Sequence, residues 1–358
     1  MLVLLSSGAT RRYRDDIIRA LALPAGADLQ FRYDRRYIDP SLLKRIEAGG
    51  VQNEEAIVLY LWSDKEKAYT EIVPCRMVKV VSAEFAGSSC IVRLRAGNFV
   101  SGLDDPKFKT CLSAEERTLL PTWESKVGVG PVLNGKFFFS IKDGLSNHAT
   151  EDIAAFEGAA IALARFKDFS DPQSSTLFYT VRRVIKFGFG DNDPSRARSF
   201  KPNAGSYELY SGEHYETEIY TFVPPGVELK SAELHIDSDV DVVEFPLGNR
   251  RDIDSRYDLK RVSFQIPEQV QAVSAGIHLY ITDPGDQASR RSDILLPIRF
   301  TGSLRFAIAR IVLIGLGASG SGIVAANAAG KLNFGNAVLM IFLGLVAAIG
   351  TVFTSLKK

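Results

Sequence analysis

Histidine, cysteine and methionine are all scarce in this chain, which holds four, three and three of them. The histidines are His148, His214, His235 and His278. None stands in an HxxxH or HExxH spacing and none neighbours a cysteine at ligand spacing, so no metal-site motif is present. A GxSxG nucleophile elbow is missing as well. With neither pattern the chain reads as a non-enzyme that needs no cofactor. Cys75, Cys90 and Cys111 are odd in number and widely spaced, which argues against a disulfide framework and fits reduced thiols in a cytoplasm. Excess charge is also lacking. The 43 Lys and Arg nearly balance the 42 Asp and Glu, for a net charge of +1, and this gives no support for nucleic-acid binding. There is no internal repeat and no low-complexity segment. An export signal is not expected either: Met1-Leu-Val-Leu-Leu5 is too short for an apolar export region and no positive segment precedes it.

What the chain does have is a long run almost free of charge. From Ile311 to Leu356 the single formal charge is Lys331. The run divides into Ile311–Gly330 and Ala337–Ser355, each about 20 residues, the length that crosses a hydrocarbon core of about 30 Å as helix. Lys331-Leu-Asn-Phe-Gly-Asn336 lies between them as a polar turn. The pattern predicts a C-terminal transmembrane α-helical hairpin over 305–358. Arg299, Arg305 and Arg310 precede it and Lys357 and Lys358 follow it, against Lys331 alone in the turn. That bias places both ends on the cytoplasmic side of the inner (cell) membrane in a multi-pass protein. The first span is rich in small and weakly polar residues: Gly315, Gly317, Ser319, Gly320, Ser321, Gly322 and Asn327. Small residues let helices approach closely, so these predict helix packing within or between copies, or a pore lining in a homo-oligomer.

The remainder reads as two units. Residues 1–170 suggest an α+β or small-barrel domain. Met1–Ser7 reads as a buried strand and Asp15–Leu21 as a brief helix stopped at Pro24. Asp39-Pro40 is the start of a second helix, with Asp as N-cap, Pro at N1 and Gly49 at its end. Ala56–Trp62 is a continuous apolar run, as in a strand covered on both faces, and Ile72–Val81, Cys90–Arg95 and Lys136–Ile141 follow as further strands. Thr150–Phe169 predicts a helix capped by Thr150, with Glu151 and Asp152 in its first turn. Gly130-Pro-Val-Leu-Asn-Gly135-Lys136 has GxxxxGK spacing. However, Phe137 stands where a Ser or Thr would hold magnesium, and strand-like residues follow where a helix should begin, so the segment reads as an ordinary turn.

Residues 176–300 predict an antiparallel β-sandwich of about eight short strands separated by Pro- and Gly-containing turns. Two features in it are candidate sites. Asp191, Arg196, Arg198 and Lys201 belong to a loop of both charge signs that reads first as an ordinary surface loop, with anion or other ligand binding as the alternative. Asp237, Asp239 and Asp241 would share a face in an extended strand, where they could hold calcium or simply make a solvated edge. The order of a sensing region followed by membrane helices resembles that of bacterial antiviral defence effectors, which depolarise the membrane. The resemblance is one of architecture, without a shared motif. It implies a membrane-anchored, non-enzymatic cytoplasmic sensor that oligomerises and perturbs the bilayer, with a protein partner or small ligand on the cytoplasmic side. The other class the sequence allows is an anchored scaffold or adaptor binding proteins at the inner membrane.

Overall fold

The computed structural model describes residues 1–7, 11–64, 69–100, 135–140, 149–167, 169, 177–187, 197–269, 271–302, 338 and 342. In the first part, chain order runs β1 (Leu2–Ser7), α1 (Arg11–Ala22), β2 (Asp28–Asp34), α2 (Pro40–Glu47), β3 (Glu55–Asp64), β4 (Tyr69–Ala86), β5 (Ser89–Val100), β6 (Gly135–Ser140), β7 (Ala149–Thr150) and α3 (Ile153–Ala164). In the second it runs β8 (Phe178–Lys186), β9 (Arg198–Phe200), β10 (Tyr207–Tyr210), β11 (His214–Phe222), β12 (Ala232–Ser238), β13 (Arg250–Ile253), β14 (Tyr257–Gln265), β15 (Val273–Asp283) and β16 (Asp286–Thr301).

The first part forms a seven-stranded sheet ordered β2-β5-β4-β3-β1-β6, with β7 paired to β5. β1 runs parallel to β3 and antiparallel to β6. Apolar residues on both faces of β1 place it inside the sheet: Leu2 and Leu4 enter the main core, while Val3 and Leu5 join Ile57, Leu59 and Leu61 on the other side. α2 begins as its sequence implies. The Asp39 carboxylate accepts from the Ser41 N–H at 2.6 Å and Pro40 occupies the first turn. α1 differs. Its first turn is the arginine-rich Arg11–Arg14 rather than the acids at Asp15 and Asp16. α3 differs too. Thr150 belongs to β7, and the cap is Asp152, which accepts from the Ala154 N–H at 3.0 Å.

The second part holds a five-stranded sheet, β10-β16-β15-β12-β13, and a four-stranded sheet, β14-β11-β8-β9. Their inner faces share one core, where Phe264 meets Phe300 edge-on and the Tyr179 hydroxyl donates to the carbonyls of Leu279 (3.1 Å) and Ser292. The pairing is not wholly antiparallel, because β10 runs parallel to β16. The segment 240–245 forms no strand: it holds a bend, two turn residues and the isolated bridge of Glu244 to Gln265.

The expected class of an α+β domain, a sandwich and a transmembrane hairpin is therefore corrected. Strands dominate throughout, and residues 1–302 contribute only three α-helices among the described residues. Among the described residues no helix is long and apolar enough to cross a membrane. The hairpin expected over 305–358 lies outside them except for Val338 and Phe342, both helical and exposed.

Two helices join the parts. α3 places Phe156 against Phe99 of β5 on one side and Tyr220 and Phe222 of β11 on the other. α1 packs on β1, β3 and β4 and also on β8 and β16. One contiguous hydrophobic core runs through both parts as a result.

Candidate functional site

A cleft of about 250 Å3 opens along this seam. One wall comes from the first part, with Pro24, Ala25, Arg76, Asn98, Phe99 and Glu151; the other includes Thr180–Arg183, Ser199–Pro202 and Tyr207. Clefts between structural units are common ligand sites because two independent surfaces converge there.

Arg76 is the unusual wall residue. It sits within β4 and is only 2% exposed. Its Nε donates to the Gly97 carbonyl at 2.8 Å, and Nη1 donates to the carbonyls of Ala20 (2.8 Å) and Leu21 (3.4 Å) in the last turn of α1 and of Leu23 just past its end. The last carbonyls of a helix lack intrahelical donors and carry partial negative charge, so a cation there caps the helix. The guanidinium also lies over the Phe99 ring, 4.4 Å from its centroid. Burial pushes Arg76 down to about 9, which leaves it protonated at neutral pH. Two corners of the planar fork are thus spent on backbone, and Nη2 has no hydrogen-bond partner among the described residues.

The opposite wall is shaped by a bulge. Ile219 of β11 pairs with Val181 and Glu218 with Arg183, so Arg182 is an extra residue in β8. A bulge breaks the inward–outward alternation of a strand and re-aims side chains. Here four consecutive residues, Thr180 to Arg183, line the cleft. Arg183 is held by the fully buried carboxylate of Glu218, with Nε 2.6 Å from Oε2. Burial pushes the Glu218 carboxyl up, but its hydrogen bonds and charge contacts with Arg183 and Arg261 outweigh this and hold it below the usual glutamate value. Arg182 is exposed and has no ion pair among the described residues. Tyr207 contributes a hydroxyl that is buried without a hydrogen-bond partner among the described residues, and burial pushes its acidity well out of the physiological range.

The rim depends on a glycine. Gly26 has φ +90°, and a Cβ there would stand 2.9 Å from the Pro202 carbonyl oxygen. Gly26→Ala should therefore destabilise the chain by about 1–3 kcal/mol, combining left-handed strain with a backbone collision. A urea midpoint unchanged from wild type would show that the two walls do not approach as described.

The sequence candidates are distributed unevenly. Lys201 lines the cleft and pairs with Glu151 at 3.2 Å. Arg198 lies on β9 with its guanidinium over the Phe200 ring. Asp191 and Arg196 lie outside the described residues, as do Gly315, Gly317, Ser319, Gly320, Ser321, Gly322 and Asn327. Asp237 is on β12, whereas Asp239 and Asp241 fall beyond its end. The Asp239 carboxylate accepts from the Gly276 N–H at 2.6 Å. Among the described residues no three His, Cys, Asp or Glu are grouped to hold a metal. Gly135 and Lys136 open β6, and the rest of the GxxxxGK segment lies outside the described residues. His235 is buried, stacks on Tyr280 and contacts Thr282 Oγ1 at 2.9 Å, and His278 lies 3.3 Å from Asp293. Sequence reading passed over Arg76, Arg182 and Tyr207. The one available signal was an arginine inside the otherwise apolar stretch of β4.

No family model matches the chain, and no curated protein matches it. Solved structures with some likeness include a Bacteroides ovatus GH5 xyloglucanase in complex with a heptasaccharide, at 10% identity and TM-score 0.17 over 27% of this chain and 17% of that one. A FixG-related protein from Vibrio parahaemolyticus matches at 13% identity and TM-score 0.21, over 38% of this chain and 100% of that one. The chain thus spans about a sixth of the length of the first, 17%. At such TM-scores these likenesses carry no argument about this protein.

Proposed function

We propose that this chain is a non-enzymatic, membrane-associated sensor whose ligand binds in the seam cleft, and whose copies then cluster and perturb the bilayer. The observation that carries the reading is the position of Arg76. It forms part of the cleft wall and at the same time caps α1. α1 in turn is tied to β16, because Arg19 Nε donates to the Asp293 carbonyl at 3.0 Å. β16 is the last strand among the described residues and precedes the apolar residues 311–356. A ligand that alters the Arg76 contacts therefore acts on an element continuous with the segment that would meet lipid. The lipid bilayer and a second copy of the chain are the partners this reading implies, with the described part on the cytoplasmic side.

An adaptor role is favoured by a different observation. Tyr257 and Leu259 on the edge strand β14 are 70% and 36% exposed, an apolar surface suited to another protein.

Flotation of the full chain with liposomes tests the membrane part, and release of a trapped dye tests the effector part. The sensor should float and release dye. A chain that stays at the bottom of the gradient overturns membrane association, and one that floats without release supports the adaptor.

A further inference from the structure

We infer that the cleft binds a small organic oxyanion, a carboxylate or phosphate on a compact apolar body, with the anion on Nη2 of Arg76 and Arg182 beside it. This rests on the reading of the cleft as the ligand site and names its ligand class. Four cationic side chains, Arg76, Arg182, Arg183 and Lys201, line the cleft, against the single acid Glu151. Two of the cations are already matched, Arg183 by Glu218 and Lys201 by Glu151. That leaves Arg76 and Arg182 as the pair without a carboxylate partner among the described residues. Nη2 of Arg76 is not among the buried polar atoms left without a partner, so this corner of the fork is open to solvent and can take an anionic acceptor.

The geometry of Arg76 favours an oxyanion over a general polar ligand. The fork is fixed in its plane by the Gly97 and α1 carbonyls and by the Phe99 ring beneath it. Its remaining N–H groups are therefore held in place before any ligand arrives, and preorganised donors lose little rotamer freedom on binding. The hydroxyls of Thr180, Ser199 and Tyr207 and the Asn98 amide supply further donors on the walls. Pro24, Phe99, Val181 and Phe200 supply apolar contact for the body of the ligand. At about 250 Å3 the cleft is below the usual range for drug-sized ligands, about 300–1,000 Å3, so the part of a ligand it holds is compact.

The test uses the purified full chain with four probes of similar size: benzoate, phenyl phosphate, benzyl alcohol and benzylamine. Binding is read by titration, and its location by amide hydrogen exchange over residues 96–100 and 180–183. One or both anions should bind and protect these segments, the two arms distinguishing carboxylate from phosphate, and the alcohol and amine should not. Arg182→Gln, at an exposed position, should weaken anion binding by roughly tenfold, the usual loss for one charge-assisted contact. Arg76→Lys should abolish it if that variant folds. Protection by the alcohol or amine alone overturns the oxyanion assignment and leaves the cleft as a ligand site. No protection by any probe overturns both. Anion binding that is unaffected by Arg182→Gln and does not protect these segments places the anion elsewhere and overturns the inference.

Discussion

Arg76→Met should lower the stability of the chain by about 3–5 kcal/mol, the range expected when one member of a buried charged network is removed. Methionine fills much of the same volume, so the loss is not mainly a cavity. What changes is the fate of the carbonyls. Gly97, Ala20, Leu21 and Leu23 all accept from this one side chain. Each becomes a buried acceptor with a missing partner, at about 1–3 kcal/mol for the worst placed of them. Replacing a buried ion pair by apolar residues can be harmless when both partners are replaced together. That route is closed here, because the partners are backbone groups and cannot be mutated away. The Phe99 ring also loses the cation above it. The measurement is urea unfolding with the slope held constant, so that a shift in midpoint reports stability alone. Arg76→Lys should lose less, since an ammonium can still meet some of the α1 carbonyls. A loss below about 1 kcal/mol for Arg76→Met would mean that water already satisfies these carbonyls from the cleft side.

How much of this was legible in the sequence depends on the range of the interactions involved. Local signals read true. Asp39 followed by Pro40 starts α2 because capping needs only neighbouring residues. The apolar run at Ala56–Trp62 lies within β3 because a doubly covered strand requires it. Local signals also mislead where they compete. The acids at Asp15 and Asp16 suggest a helix start, but α1 starts a turn earlier. The alternating aspartates after Ile236 look like a continuing strand, yet Asp239 turns to accept from Gly276.

The cleft was not legible. Its residues run from Pro24 to Tyr207, and what brings them together is the packing of α1 and α3 across two sheets. The bulge at Arg182 depends on register, which no single strand specifies. Lys201 was singled out as a cation in a flexible loop, but its pairing with Glu151 involves a residue fifty positions away. The apolar tail is a different case. Hydropathy identifies residues that avoid water but does not by itself assign their fold, and the expected hairpin falls outside the described residues.

The second large effect should come from Glu218. Its carboxylate is fully buried at the centre of β11, directly opposite Arg183 on β8 and Arg261 on β14. Arg183 Nε lies 2.6 Å from Oε2, and Arg261 Nη2 lies 3.0 Å from Oε1. Glu218→Gln keeps the shape but removes the charge and turns an amide N–H2 toward a guanidinium. The expected cost is about 2 kcal/mol, below the usual figure for a buried pair because the arginines keep 36% and 37% exposure and recover some hydration. Its pH dependence identifies the cause. The folded carboxyl titrates below the ordinary value of 4.5. The unfolded chain therefore takes up this proton first as the solution is acidified, and the contribution of Glu218 is complete above the unfolded value and lost as pH falls through the folded one. The stability gap between wild type and Glu218→Gln should be widest near neutrality and narrow as acid titrates the carboxylate below its ordinary value. A gap that stays constant on acidification would assign the loss to altered packing rather than to the ionised carboxylate. An Arg183→Gln, Glu218→Gln double-mutant cycle then separates the contact that holds Arg183 at the cleft wall from the one made with Arg261.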